Sequence, residues 1–302
     1  MASVFEQVLI LFIFALIGFV LCRLKRVDGS KVGLLSTLEF FVFMPCVSFQ
    51  TFSQRFTVNY LQEKYSLVLI SLGILLALEL FARLVAPQLS KDSYQKLVFR
   101  YSLIIPNFGF FGYSLMQGLF GAEGLMDMMM FSLPMSVYTS TIGYAVLTNQ
   151  PGKFSVKKVF TPSIIAIILG GIVGITGLQI PSVLEQIVQK SAACMSPVSM
   201  LLAGIVIAEY KLKELLADKR AYFVCAMRLL VVPTLLFFLL KVTRLEIAML
   251  AAIITYCGPC GLNPIVYGKL SGQDCRIGAG LALISTVLAM ATIPLCVYFF
   301  LN

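Results

Sequence analysis

Apolar runs near 20 residues long, about the length that crosses a bilayer, follow one another along the chain with short polar segments between them. Charged residues, glycines and prolines between the runs predict ten helices, at 5-23, 32-52, 65-86, 96-119, 124-147, 160-178, 186-208, 220-240, 246-268 and 276-301. The fourth and ninth carry breakers in mid-span. The pattern is that of an all-α polytopic membrane protein. Glu6 precedes most of the first run and Arg23, Lys25 and Arg26 follow it. That charge order is wrong for a signal peptide, so the run counts as a spanning helix.

Composition agrees with the pattern. Of 302 residues, 59% are apolar and 12% charged, with a mean hydropathy of +0.95. No stretch remains for a sizeable soluble domain, so function must sit among the helices. The net charge of +9 reads as an orientation signal, not as a nucleic-acid surface. Loops one, three, five, seven and nine hold most of the basic residues: Arg23, Lys25, Arg26, Lys31; Arg83, Lys91, Lys96, Arg100; Lys153, Lys157, Lys158; Lys211, Lys213, Lys219, Arg220; Lys269, Arg276. The other side holds only Arg55, Lys64, Lys190, Lys241 and Arg244. The positive-inside rule then places both termini outside the cytoplasm.

Several chemistries drop out. Histidine is absent, which removes the commonest general base and imidazole ligand. The eight cysteines fall mostly in apolar runs, as small buried hydrophobes do. Cys257-Gly258-Pro259-Cys260 copies a thioredoxin-like dithiol, yet that motif needs a strand-to-helix junction and here lies inside an apolar helix. Two thiols are too few for a closed zinc site. No metal, cofactor or enzymatic activity is expected.

Landmarks recur at a nearly constant offset. Pro45 and Pro197 stand 152 apart, Pro106 and Pro259 153 apart, and Gly121 with Glu123 recurs 151 residues on as Gly272 with Asp274. Five helices per repeat is an odd number, so the second half (151-302) would insert upside down relative to the first (1-150). That is the inverted repeat of secondary transporters.

Helix four reads Pro106-Asn107-Phe108-Gly109, and helix nine reads Pro259-Cys260-Gly261-Leu262-Asn263-Pro264. Proline removes a backbone donor, and glycine lowers the cost of unwinding. Pro106, Gly109, Pro259, Gly261 and Pro264 therefore mark mid-membrane breaks. The bland alternative is prolines that only kink packed helices, with asparagines as glue. The paired positions favour breaks that cross and aim half-helix N-termini at one point. Such a point suits an anion, and Asn107 and Asn263 bring carboxamides to it. Ser136 and Tyr138, just past Pro134, either line the same cavity or make ordinary helix contacts. Among intramembrane charges, Glu79 and Arg83 sit four apart and can pair. Arg228 can balance Glu39 or Glu79, couple protons, or attract an anion. Glu39 is the best carboxylate for proton linkage.

The motifs Pro106-Asn107-x-Gly109-x-x-Gly112, Leu119-Phe120-Gly121-x-Glu123, Pro259-x-x-x-Asn263, Tyr267-Gly268, Ser285-Thr286 and Ile293-Pro294-Leu295, with Met44-Pro45, resemble the auxin efflux carrier family over essentially the whole chain. The resemblance implies a five-plus-five inverted repeat with crossed helices four and nine. It also implies a scaffold of helices 1, 2, 6 and 7 beside a moving core of helices 3-5 and 8-10, commonly as a homodimer. The loop at about 148 to 159 is short, as in prokaryotic-type members of an inner plasma membrane. Pro264 directly after Asn263, and Ser136 where the family has asparagine, depart from the pattern. The expected function is a secondary transporter of a small organic anion, auxin-like or dicarboxylate. The alternative is a sodium- or proton-coupled symporter or exchanger for a cation or bile-acid-like solute; the lack of acids in the crossing segments argues mildly against sodium.

Overall fold

The computed structural model describes residues 2–28, 32–148 and 159–301. Among them the chain is helical, and the one β-type pairing is an isolated antiparallel bridge. In chain order the helices are α1 (Ala2–Arg23), α2 (Val32–Arg55), α3 (Ser66–Leu89), α4a (Ser93–Ile104), α4b (108–120), α5 (122–147), α6 (Pro162–Thr176), α7 (Ser182–Ala208), α8 (Lys219–Val242), α9a (Met249–Cys257), α9b (Asn263–Leu270) and α10 (Arg276–Phe300). Six of them, α1, α2, α3 with the short helix Val58–Lys64 before it, α7, α8 and α10, are long and apolar enough to cross a membrane. The remaining expected spans are shorter or interrupted. Lys31, and the short loop with Lys153, Lys157 and Lys158, lie outside the described residues.

Caps explain where helix starts differ from the hydropathy reading. Asp92 Oδ1 accepts from the Gln95 N–H at 2.8 Å, so α4a opens at Ser93 and not at 96. Thr161 caps α6 through Ile164 at 3.3 Å. An oxygen at that position satisfies one of the donors that every helix N-terminus leaves unpaired. At the other end, Gly177 takes φ 67° and closes α6.

The most extensive packing pairs α1 with α7 and α2 with α6. Small residues make these contacts close. A Cβ on Gly18 would run into the backbone of Leu201, and one on Gly170 would lie 2.6 Å from the Phe49 carbonyl oxygen. These two contacts are copies of each other at an offset of 152, since 18 becomes 170 and 49 becomes 201. Left-handed backbone recurs in the same way. Lys25 (φ 56°) matches Gly177 (φ 67°), and Gly121 (φ 64°), at the turn from α4b into α5, matches Gly272 (φ 67°), between α9b and α10.

The outer surface is apolar. Leu69, Leu72, Leu76, Leu80 and Leu84 are exposed on α3, and their three- and four-residue spacing makes one continuous stripe. Water would penalise such a stripe heavily, and hydrocarbon does not. The chain is a multi-pass membrane protein.

Ion pairs tie the helix ends together. Arg55 meets Glu123 at 3.2 Å, and Lys64 with Tyr60 holds Asp127 at 2.8 and 2.7 Å, all near the Gly121 turn. Near the Gly272 turn Lys269 pairs with Glu209. Two Asp-x-Arg clips, Asp218 with Arg220 and Asp274 with Arg276, close at 2.7 and 2.6 Å before α8 and α10. In each, hydrogen bonds from the arginine hold the aspartate below its ordinary value of 3.8. They flank a recess of about 180 Å³ with Glu214 and Gln95.

Two outcomes are expected. Gly170→Ala should lower stability by about 1–3 kcal/mol through overpacking, read by thermal unfolding in detergent, whereas Gly73→Ala, with nothing within 4 Å, should not. Because folding lowers the Asp218 and Asp274 values, their stabilisation is complete above the unfolded value and is lost as pH falls through the folded one. An Asp218→Asn, Asp274→Asn double variant should therefore show a shallower loss of melting temperature between pH 5 and about 3 than the parent chain.

Candidate functional site

Two helices stop in the interior of the molecule and restart. The first turns aside at Ile105-Pro106-Asn107, between α4a and α4b; the second turns aside at 258–262, between α9a and α9b. A helix end leaves N–H and C=O groups without partners, and hydrocarbon supplies none. The two breaks supply them to each other. Pro106 and Cys260 form the antiparallel bridge, and the Asn107 N–H donates to the Pro259 carbonyl at 2.8 Å. The Cys260 N–H donates to Ser285 Oγ of α10 at 2.9 Å, and the Ser285 hydroxyl donates to the Leu281 carbonyl at 2.6 Å. On the α4b side the Asn107 carbonyl accepts from Phe111 and Gly112 at 3.2 and 2.9 Å, which opens α4b as a π-helical turn. Such turns recur at functional sites.

The crossing is tight. A Cβ on Gly261 would lie 3.3 Å from the Pro106 carbonyl oxygen, and one on Gly109 would lie 2.8 Å from the Met44 methyl of α2. Tyr101, Ile104, Ile105, Tyr256, Cys257 and Cys260 around it are essentially inaccessible.

The asparagines occupy different corners of this crossing. Asn107 is 9% exposed, and its carboxamide has no hydrogen-bond partner among the described residues. Asn263 opens α9b and donates through Nδ2 to the Tyr101 hydroxyl at 2.7 Å, which in turn lies 3.3 Å from Thr139 Oγ1 of α5. Pro264 does not break a helix. It sits in the first turn of α9b, where a missing N–H costs nothing, so the break in the ninth segment belongs to Gly258, Pro259 and Gly261.

Ser136 and Tyr138 turn their hydroxyls elsewhere. Ser136 donates to the Ser132 carbonyl at 3.1 Å, and Tyr138 donates to Glu79 Oε2 at 3.0 Å. Glu79 also gathers Arg83 at 2.8 Å and Arg100, so the expected Glu79–Arg83 pair is part of a larger cluster joining α3, α4a and α5. Glu39 is fully buried in a π-helical turn of α2, and the Ser199 hydroxyl of α7 donates to it; its second oxygen has no partner among the described residues. Arg228 pairs with neither acid. Its Nη1 donates to the carbonyls of Ser102 and Leu103 at 3.2 and 3.3 Å, and its guanidinium lies 5.8 Å from the centre of the Tyr256 ring. It sits between the C-terminal ends of α4a and α9a, where a cation offsets the negative end of the helix dipole. Tyr101, Thr139, Ser199 and Ser285 were not singled out from the sequence as partners, although Ser285 lay within a quoted motif.

A second recess, about 510 Å³, opens laterally between α2, α5 and α6 and is lined by apolar groups such as Phe52, Phe56, Met130 and Ile172. It is not lined by either asparagine. All eight cysteines carry free thiols, and the described residues contain no cluster of three or more metal-ligating groups.

A family model described as a membrane transport protein matches the chain twice, over residues 3–158 and 150–297. Comparison with curated proteins finds no match.

Ser285→Ala should leave the Cys260 N–H buried without an acceptor, a loss of about 1–3 kcal/mol. Thermal unfolding of the purified variant reads it, with Thr286→Ala as the comparison, because Thr286 bonds only to its own helix.

Proposed function

The chain belongs to the membrane transport protein family, the auxin efflux carrier family, and from that premise we propose that it is a secondary transporter of a small organic anion. The observation that carries the reading is the hydrogen-bonded crossing of two proline-broken helices, with α4b and α9b both opening at it. Two half-helix N-termini bring partial positive charge to one place. Asn107 and Asn263 add neutral carboxamide donors that can bond a carboxylate.

In this reading all ten helical segments cross the plasma membrane, with both termini outside the cytoplasm. Residues 1-150 and 151-302 are inverted repeats. The copied Gly18–Leu201 and Gly170–Phe49 contacts, the matched left-handed residues and the two breaks support that relation. Helices α1, α2, α6 and α7 form the scaffold, clamped by close glycine contacts. The rest forms the core, which moves as a body and exposes the crossing to each side in turn. A crossing held by backbone hydrogen bonds travels intact through such a motion.

Asn107→Ala and Asn263→Ala should each weaken carboxylate binding roughly 10- to 100-fold, the worth of a hydrogen bond to a charged group. Binding is read by calorimetry on protein that elutes as a single folded species, and uptake in proteoliposomes should fall with it. Unchanged affinity in both variants would remove the site from the crossing.

A further inference from the structure

Arg228 has 0% exposure, and no ion pair among the described residues involves it. A buried guanidinium without a counter-ion is costly, and the two helix-end carbonyls that it bonds offset only part of that. Its remaining donors are not scattered. Nη1 is spent on Ser102 and Leu103, and the two unpartnered nitrogens are Nε and Nη2. Those two carry parallel N–H bonds along one side of the guanidinium plane. That edge is the one that grips both oxygens of a carboxylate at once. Two residues that Arg228 touches also carry hydroxyls without partners among the described residues: Ser102, whose carbonyl it holds, and Tyr256, whose ring it lies over. Each of these groups can donate, and the other polar groups around the guanidinium are the thiols of Cys225, Cys257 and Cys260, which are weak acceptors and not carboxylates.

Arg228 is also well placed. It binds α4a one turn before Pro106 and lies against α9a three residues before Pro259, so it sits behind both breaks. The cation thus borders the crossing.

We propose that the Nε–Nη2 edge of Arg228 is the carboxylate fork of the transport site, closed off in this conformation and engaged when the crossing admits substrate. This inference rests on the anion-transport reading and narrows it. The ligand carries a planar carboxylate, and the neutral amide of the same molecule is rejected because it cannot compensate the buried charge. A lysine at this position would keep the charge and lose the fork, since an ammonium group offers no parallel pair of donors.

The test is calorimetric binding of benzoate, indole-3-acetate and succinate, each beside its neutral amide, to the full detergent-solubilised chain. The expected result is that at least one carboxylate binds about ten-fold or more tighter than its amide. Arg228→Lys should reduce that preference several-fold, and Arg228→Met should bring it to near unity. The proposal is overturned if no carboxylate binds, if an amide binds as tightly as its acid, or if Arg228→Lys keeps the full preference. Should neither variant fold, the acid-to-amide ratio of the parent chain decides. A preference lost in Asn107→Ala but intact in Arg228→Lys would leave the crossing as the site and remove the fork. A preference sensitive to Arg228 with no flux in proteoliposomes would keep the fork and remove the transporter reading.

Discussion

The hydrogen bond from the Asn107 N–H to the Pro259 carbonyl, 2.8 Å long, is the contact on which the interior of this molecule turns. In water a broken helix is cheap, since solvent takes up the released groups. Inside hydrocarbon each released group costs several kcal/mol. One break alone would need a dedicated partner, and two breaks laid across each other are partners already. The antiparallel bridge at Pro106 and Cys260, the Ser285 cap and the close approach of Gly261 to Pro106 all follow from that economy. The result is a place at the centre of the bundle where the backbone itself is polar and ordered.

The same constraint sorts the charges. Glu79 is surrounded by Arg83, Arg100 and Tyr138, and so is compensated on the spot. Glu39 has one serine and a free oxygen, and Arg228 has two carbonyls and a free edge. Groups with incomplete compensation in low dielectric are the ones a protein retains for use. The structure thus separates a charge that staples three helices from two whose compensation among the described residues is incomplete. No carboxylate among the described residues balances Arg228; the ends of α4a and α9a stand there instead.

Much of this was legible in the chain because the decisive signals are local. Pro106 with Asn107, and Pro259 with Gly261, interrupt apolar runs within a few residues, and hydropathy placed each helix within a few residues of where it lies. The errors are local too. Asp92 caps α4a earlier than hydropathy suggests, and Pro264 belongs to the first turn of α9b. What the chain did not disclose is partnership at long range. Tyr101 reaches Asn263 across 162 positions, and Ser199 reaches Glu39 across 160. No periodicity links such pairs; only packing does. The glycine contacts show the limit from the other side. The offset of 152 was visible in prolines, yet Gly18 and Gly170 entered the pattern only once their opposing backbones were known.

At the position where that offset would place a second Arg228 stands Leu76, facing outward on α3, and at the counterpart of Glu79 stands Val231. The two halves share their bends and their close approaches but not their electricity. A charged group beside one half would meet similar bends and a different potential from one beside the other. Matched bends and matched contacts therefore do not imply a matched field: single unmatched residues set where the potential falls, and an exchange of charge between two helix positions would move it without altering the architecture.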